Sequence, residues 1–272
     1  AFPLGPLRYF YNMNISLEGK TAVICGSTQG IGLAIAKAFA QAGAQCILFA
    51  RNEDTLREAV ASLELGAKAH EYRVVDFASN HAVKEAIEEV ALKHTVHILV
   101  NNTGGPAPGP ITEASADAFA NAFSQHIINY QQLAQAVLPG MKEAGYGRVI
   151  NIVSTSVKIP IANLGVSNTI RAATAGWAKT LANEVAAWGI TVNNILPGFT
   201  KTKRLESLIS TNAAKQGTSE EELAEKMQQQ IPAKRFGEPE EIASVAAFLA
   251  SPAASYVNGV NLPVDGGNTG AF

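Results

Sequence analysis

The sequence is poor in sulfur and in charge. Among 272 residues there are 2 cysteines and 3 methionines, and charged residues make up 16%. Cys25 and Cys46 are too few for a disulfide framework, and no Cys/His group has zinc spacing. Both lie in apolar runs, where a free buried thiol is expected, and this fits a reduced, cytoplasmic setting. His94 and His97 straddle a loop and a strand start, so no metal site is expected. Neither sign of charge dominates: 21 Lys+Arg against 23 Asp+Glu leave a net charge of -2, and no basic field invites nucleic acid. No apolar run reaches the roughly 18–20 residues of a membrane span. What is abundant is apolar material, 47% of the chain, enough for a large core and too much for a disordered chain. A small molecule is the expected partner. The opening AFPLGPLRYFYN (1–12) has neither an h-region nor a cleavage site and reads as a leader or expression remnant; a single domain is expected over 13–272.

Short apolar runs alternate with helical periods from residue 20 onward. The runs at 21–26, 45–51, 70–76, 97–102, 148–154, 190–198 and 259–264 read as strands. Helices are predicted over 31–43, 53–65, 80–94, 115–144, 166–188 and 239–250. Continuous apolar strands separated by helices predict an α/β fold, a doubly wound parallel sheet of the Rossmann type in one domain. Residues 203–235 break the rhythm. They are polar, helical in period and interrupted by Gly217, and they are expected to form a helical lid over a cleft.

The first strand runs into Gly26-Ser27-Thr28-Gln29-Gly30-Ile31-Gly32 and then directly into a helix. Glycines there permit a tight turn and close approach of backbone to a pyrophosphate at the positive end of the helix. Together with Asn101-Asn102-Thr103-Gly104, Asn151-Ile152-Val153-Ser154, Pro197-Gly198 and the Asp265-Gly266-Gly267 run, this chain resembles the short-chain dehydrogenase/reductase family over about residues 17–268. The resemblance implies an NAD(P)-dependent oxidoreductase, assembled as a homotetramer or homodimer through the long helices of 115–144 and 166–188. Phe119, Phe123, Trp177 and Trp188 are candidates for that contact.

Carried over residue by residue, the family pattern puts Gly26, Gly30 and Gly32 around the pyrophosphate, with Ser27 and Ile31 beside them. Cys25 stands where the family usually has Thr. Asp76 and Phe77 would meet the adenine. Asn102, Thr103 and Gly104 would run along the ribose, with Thr103 in place of the usual Ala reading as a small change. Thr200 and Thr202, after Pro197-Gly198, would approach the nicotinamide amide and the phosphates. At the end of the second strand, Ala50 stands where NAD readers carry an acid, and Arg51 follows. A guanidinium suits a 2′-phosphate, so NADP(H) is favoured over NAD(H); the alternative is an Arg51 that stacks on adenine.

The catalytic positions depart from the family. There, a Tyr gives the proton, a Lys four residues on lowers its pKa, a Ser thirteen residues before the Tyr places the carbonyl, and an Asn on the preceding helix completes a water relay. Here Ser154 fits the Ser, but Ser167 replaces the Tyr, Arg171 the Lys and His126 the Asn. A serine is a poor acid, and Arg171 stays cationic, able to hold ribose hydroxyls or an alkoxide but not to shuttle a proton. His126 is the nearby group with an ordinary pKa close to neutrality and is a candidate to relay a proton through water toward Ser154; the alternative is a helix residue hydrogen-bonded to backbone. Tyr130, one turn further, is a second candidate, and a substrate needing no protein acid is a third option. Lys158 and Lys201 are candidate partners for an anionic group. The expected activity is that of an NADP(H)-dependent reductase acting on a carbonyl or alcohol, nearest in layout to 3-oxoacyl-thioester reductases. The alternative is a catalytically silent nucleotide-binding sensor or scaffold subunit.

Overall fold

The structure is a computed structural model that describes residues 14–64 and 66–270. The expected leader at 1–12 lies outside the described residues. Seven strands form one parallel sheet: β1 (Thr21–Cys25), β2 (Gln45–Ala50), β3 (Glu71–Val74), β4 (Ile98–Asn101), β5 (Gly147–Ile152), β6 (Ile190–Pro197) and β7 (Asn261–Val264), in the order β3-β2-β1-β4-β5-β6-β7. The order reverses between β1 and β4, which is where a doubly wound sheet opens a crevice at its carboxyl edge.

Nine helices connect and cover these strands among the described residues: α1 (Gly30–Gln41), α2 (Glu53–Ala61), α3 (Asn80–Lys93), α4 (Ala116–Phe123), α5 (Asn129–Glu143), α6 (Gly165–Val185), α7 (Lys203–Gln216), α8 (Glu220–Gln230) and α9 (Pro239–Ala250). Two apolar layers explain the continuous runs in the strands. One joins α1, α2 and α9 to the sheet around Ile24, Phe39 and Leu249, and the other joins α3, α5 and α6 around Val23, Phe49 and Leu133. The two free thiols are buried, one in each layer: Cys46 in the first and Cys25 in the second.

Four asparagines interrupt the apolar runs, and parallel register brings them side by side: Asn101 faces Asn151, Asn151 faces Asn194, and Asn194 faces Asn261. Their amides link in one direction. Asn101 Nδ2 donates to Asn151 Oδ1 (2.8 Å), Asn151 Nδ2 to Asn194 Oδ1 (2.7 Å) and Asn194 Nδ2 to Asn261 Oδ1 (2.7 Å). A buried amide is costly alone and tolerable once bonded, so the asparagines stabilise one another inside the sheet.

Two expected helices differ in the structure, while 203–235, expected to be helical and interrupted at Gly217, is divided there. The 53–65 helix ends at Ala61. The 203–235 segment is a pair, α7 and α8, joined at Gly217 (φ 65) and packed on its own small cluster of Leu205, Ile209, Leu223 and Phe236. The single helix expected over 115–144 is divided by a π-turn at Ser124–Ile128 between α4 and α5. Side chains support the carbonyls of that wide turn. Asn80 Nδ2 donates to Ser124 O (3.0 Å), and Asn129 Nδ2 donates to both Gln125 O (3.1 Å) and Phe77 O (2.8 Å). Period alone does not show such a turn; it depends on partners from the start of α3 and from the loop after β3.

Candidate functional site

At the crevice, the β1–α1 turn is shaped by what it excludes. Gly26 has φ +59, and a Cβ on it would lie 2.2 Å from the Asn102 carbonyl oxygen; a Cβ on Gly32 would lie 2.1 Å from the Gly26 oxygen. Neither position accepts a side chain. Asn102 Nδ2 donates to Gly26 O (3.0 Å) and Cys25 O (3.3 Å), so this residue braces the turn from β4. Ser27 is fully buried, its hydroxyl turned to Phe49 O (3.5 Å), which leaves only its backbone for a ligand.

The helix that follows begins bare. Gln29 makes no side-chain cap, and the first turn of α1 holds no acid. By contrast Asn52, Ser79, Ser115, Thr202 and Ser219 each accept from an amide of their own helix in α2, α3, α4, α7 and α8. Among the described residues the opening amides of α1, at Gly30, Ile31 and Gly32, therefore have no acceptor, and they stand at the positive end of the helix. The start of α7 lies opposite, with the Thr202 methyl 3.1 Å from where a Gly30 Cβ would sit. Thr200 is buried, its hydroxyl on Gly198 O (3.2 Å). Gly198 lets the Pro197-Gly198 turn rest on Asp265, 2.7 Å from a would-be Cβ. A cradle closed to side chains, with open amides behind it, fits a dinucleotide pyrophosphate. Arg51 and Asp76 are exposed beyond β2 and β3, and Phe77 is half-buried beside them.

The other side of the crevice is made of side chains. Ser154, half-buried after β5, accepts from Ser156 N (3.1 Å) and keeps its own O–H to donate. Ser167 is buried in the first turn of α6, and among the described residues no hydrogen bond links it to Ser154 or Arg171. Arg171 is buried, with Nη1 on Ile152 O (3.0 Å) and no partner for Nε.

Two further side chains gather around Thr103. Its hydroxyl oxygen is 2.9 Å from His126 Nδ1 and 3.0 Å from the Tyr130 hydroxyl, while His126 Nδ1 and Tyr130 are 3.4 Å apart. His126 and Tyr130 are buried, whereas Thr103 is half-buried and Gly104 beside it has open space where a Cβ would be. Burial, then the Arg171 and Arg204 charges, push the His126 pKa down to about 3. The Tyr130 phenol is raised by burial and drawn partly back by Arg171.

These contacts correct three expectations. His126 does not titrate near neutrality, because desolvation and two cations keep its ring uncharged, and its Nδ1 faces Thr103 rather than Ser154. Thr103 is no minor change from Ala, since its hydroxyl is the hub of the cluster. Lys201 is paired with Glu238; the guanidinium groups of Arg171 and Arg204 reach this side of the crevice. Sequence reasoning also missed Asn80, Asn129 and Arg204. A Tyr four residues after His126 was the available signal for the cluster, but helical period cannot place either side chain beside β4.

Fold and crevice define an α/β dinucleotide-binding protein. A family model described as enoyl-(acyl carrier protein) reductase matches residues 26–269. The 7alpha-hydroxysteroid dehydrogenase of Escherichia coli (strain K12) is 34% identical over 261 residues, covering 95% of this chain and 97% of the relative. The 3-oxoacyl-(acyl-carrier-protein) reductase FabG of Vibrio cholerae is 34% identical, covering 93% of this chain and 98% of its own. The crystal structure of L-sorbose reductase from Gluconobacter frateurii, complexed with NADPH and L-sorbose, superposes with a TM-score of 0.90 at 34% identity, covering 95% of this chain and all of that one. The chain belongs to the short-chain dehydrogenase/reductase family, and it is an oxidoreductase of that nicotinamide-dependent class. Among the described residues no helix is long and apolar enough to cross a membrane, and no group of three His, Cys, Asp or Glu side chains gathers.

Proposed function

We propose that this protein is an NADPH-dependent reductase of a carbonyl substrate in which the proton comes from the Thr103–His126–Tyr130 cluster and not from α6. The observation that carries this reading is the pair of bonds on Thr103, which connects a buried phenol to a half-buried hydroxyl at the crevice. The nicotinamide, when bound, supplies the hydride. Thr103 gives its proton to the developing alkoxide oxygen and takes the Tyr130 proton in its place; Arg171 stabilises the resulting tyrosinate, and the proton is returned from solvent to buried Tyr130 through Thr103 at the crevice. Neutral His126 holds the Thr103 hydroxyl in line. Ser154, with its O–H free, positions the substrate oxygen. In this arrangement a phenol and a cation keep the partnership the family relies on, with the phenol moved from α6 to α5.

Gly26, Gly30, Ile31, Gly32, Thr200 and Thr202 would hold the phosphates, and Asp76 and Phe77 the adenine. Arg51, exposed and without an ion-pair partner among the described residues, would take the 2′-phosphate of NADP(H). The α7–α8 pair would cover the crevice of a single catalytic domain. An apolar groove between α4 and α6, lined by Phe119, Phe123, Ile128, Ile170 and Ala173, supports assembly into a homodimer or homotetramer. Two free buried thiols support a cytoplasmic setting.

The test is NADPH binding by calorimetry followed by NADPH oxidation over a panel of ketones and oxo acids. Binding with turnover supports the reading, and binding without turnover on any member overturns it in favour of a silent nucleotide-binding protein.

A further inference from the structure

Arg204 lies in the first turn of α7, two residues after the Thr202 cap, and Arg171 lies in α6 on the other wall of the crevice. They converge on one glycine. A Cβ on Gly105 would be 2.8 Å from Arg204 Nη1, 2.9 Å from Arg204 Nη2 and 3.2 Å from Arg171 Nη2. Both terminal nitrogens of Arg204 and one of Arg171 therefore border a single small volume beside Gly105. Among the described residues no carboxylate pairs with either guanidinium, although the exposed cations Arg57, Lys201 and Arg235 all have such a partner. Arg171 is 6% exposed and its Nε is without a partner. The depressed His126 pKa, with both arginines among its causes, agrees with two cations facing the same space. Like charges brought together near a buried wall repel, and the repulsion is relieved when an anion enters between them. A planar guanidinium matches a carboxylate in two parallel hydrogen bonds, and two guanidiniums can share one carboxylate.

We propose that Arg171 and Arg204 form a carboxylate clamp, and that the substrate is an oxo acid held by it beside Thr103. The proposal rests on the reductase reading and names its substrate class. Arg171 is fixed by the Ile152 carbonyl, whereas Arg204 is carried by the α7–α8 pair, so the acid also draws that cover toward α6. Phosphate of the dinucleotide is the other source of the same anionic chemistry, because Thr202 faces the α1 turn.

Calorimetry separates the two sources. NADPH is titrated into the wild type and Arg204→Ala, and the NADPH-loaded proteins are then titrated with benzoylformate, 2-oxobutyrate and 4-oxopentanoate, each against its methyl ester. In the wild type at least one acid is expected to bind about tenfold more tightly than its ester. In Arg204→Ala that preference falls to about twofold or less, with NADPH affinity unchanged within about twofold, and Arg204→Lys recovers part of it. Gly105→Ala, whose methyl would occupy the shared volume, is expected to remove the preference as well. Arg204 is exposed on a surface helix, so a matching thermal midpoint is expected for Arg204→Ala. Acids and esters binding alike to the wild type overturn the clamp and leave the reductase reading intact, provided neutral ketones are turned over. An Arg204→Ala protein that loses NADPH affinity about tenfold while keeping the acid preference assigns Arg204 to the dinucleotide phosphates and overturns the clamp. A wild type that binds no NADPH overturns both readings.

Discussion

At the β1–α1 side of the crevice the binding surface is backbone; at the α5–α6 side it is side chain. The two respond differently to sequence change. Around Gly26 and Gly32 there is no room for even a methyl group, and the ligand-facing amides are supplied by the helix start itself, so the solution is nearly unique. Around Thr103 the required chemistry is a proton donor near a cation. On the proposed reading, Tyr130 on α5 with Arg171 on α6 supplies that pair in place of a Tyr and a Lys on one helix. A backbone site has to stay where the chain turns, whereas a proton donor can move to any element that reaches the same oxygen.

The change that breaks the first side most severely is Gly32→Ala. With its Cβ placed 2.1 Å from Gly26 O, the turn must open, and we expect loss of measurable NADPH binding by calorimetry with destabilisation of about 4 kcal/mol or more in denaturant. The second side is broken by Tyr130→Phe, which should lower kcat by about 10²–10⁴-fold with NADPH affinity kept. Ser167→Ala, at the family's usual acid position, should change kcat by less than about threefold, far below the 10²-fold that a lost general acid costs. Equal losses in the two variants would return proton delivery to α6.

His126 sharpens the comparison through pH. Its ordinary pKa is 6.5 and its folded value about 3, so the unfolded chain binds the extra proton between those values, and stability is lost as pH falls below about 6.5. Against His126→Asn, the wild type should lose roughly 3 kcal/mol more between pH 7 and pH 4, read from urea midpoints. Equal loss in both proteins would show that the ring is charged or solvated in the fold. A more modest loss is expected at the rim, where Arg51→Ala should reduce the preference for NADPH over NADH by about tenfold, or about 1.4 kcal/mol, in the ratio of dissociation constants.

The same contrast explains what could be read from the sequence. The sheet, its helices and the glycine turn were legible because steric rules at Gly26, Gly30 and Gly32 and the alternation of apolar runs act locally. The loss of the family's Tyr and Lys was equally plain. The replacement was not, because Thr103 on the β4 loop, His126 in the π-turn and Tyr130 on α5 meet only through tertiary packing. Arg204 was hidden for a similar reason: it lies in a polar segment read as a cover, and only the fold brings it to Gly105. The small core of Leu205, Ile209, Leu223 and Phe236 was not legible, because the charged residues of 203–235 mask its few apolar positions.

The asparagine row across β4, β5, β6 and β7 has a further consequence. Parallel strands with uniformly apolar faces have little to tell one alignment from the next. Sliding β5 by one residue against its neighbours would turn Asn151 away from both Asn101 and Asn194 and strand several amides in a dry interior. The row therefore acts as a vernier, permitting one setting of the strands that carry Ser154, Pro197 and the Thr103 loop. If the acid is on α5, as proposed, the move left ångström-scale alignment intact because the edge beneath stayed indexed.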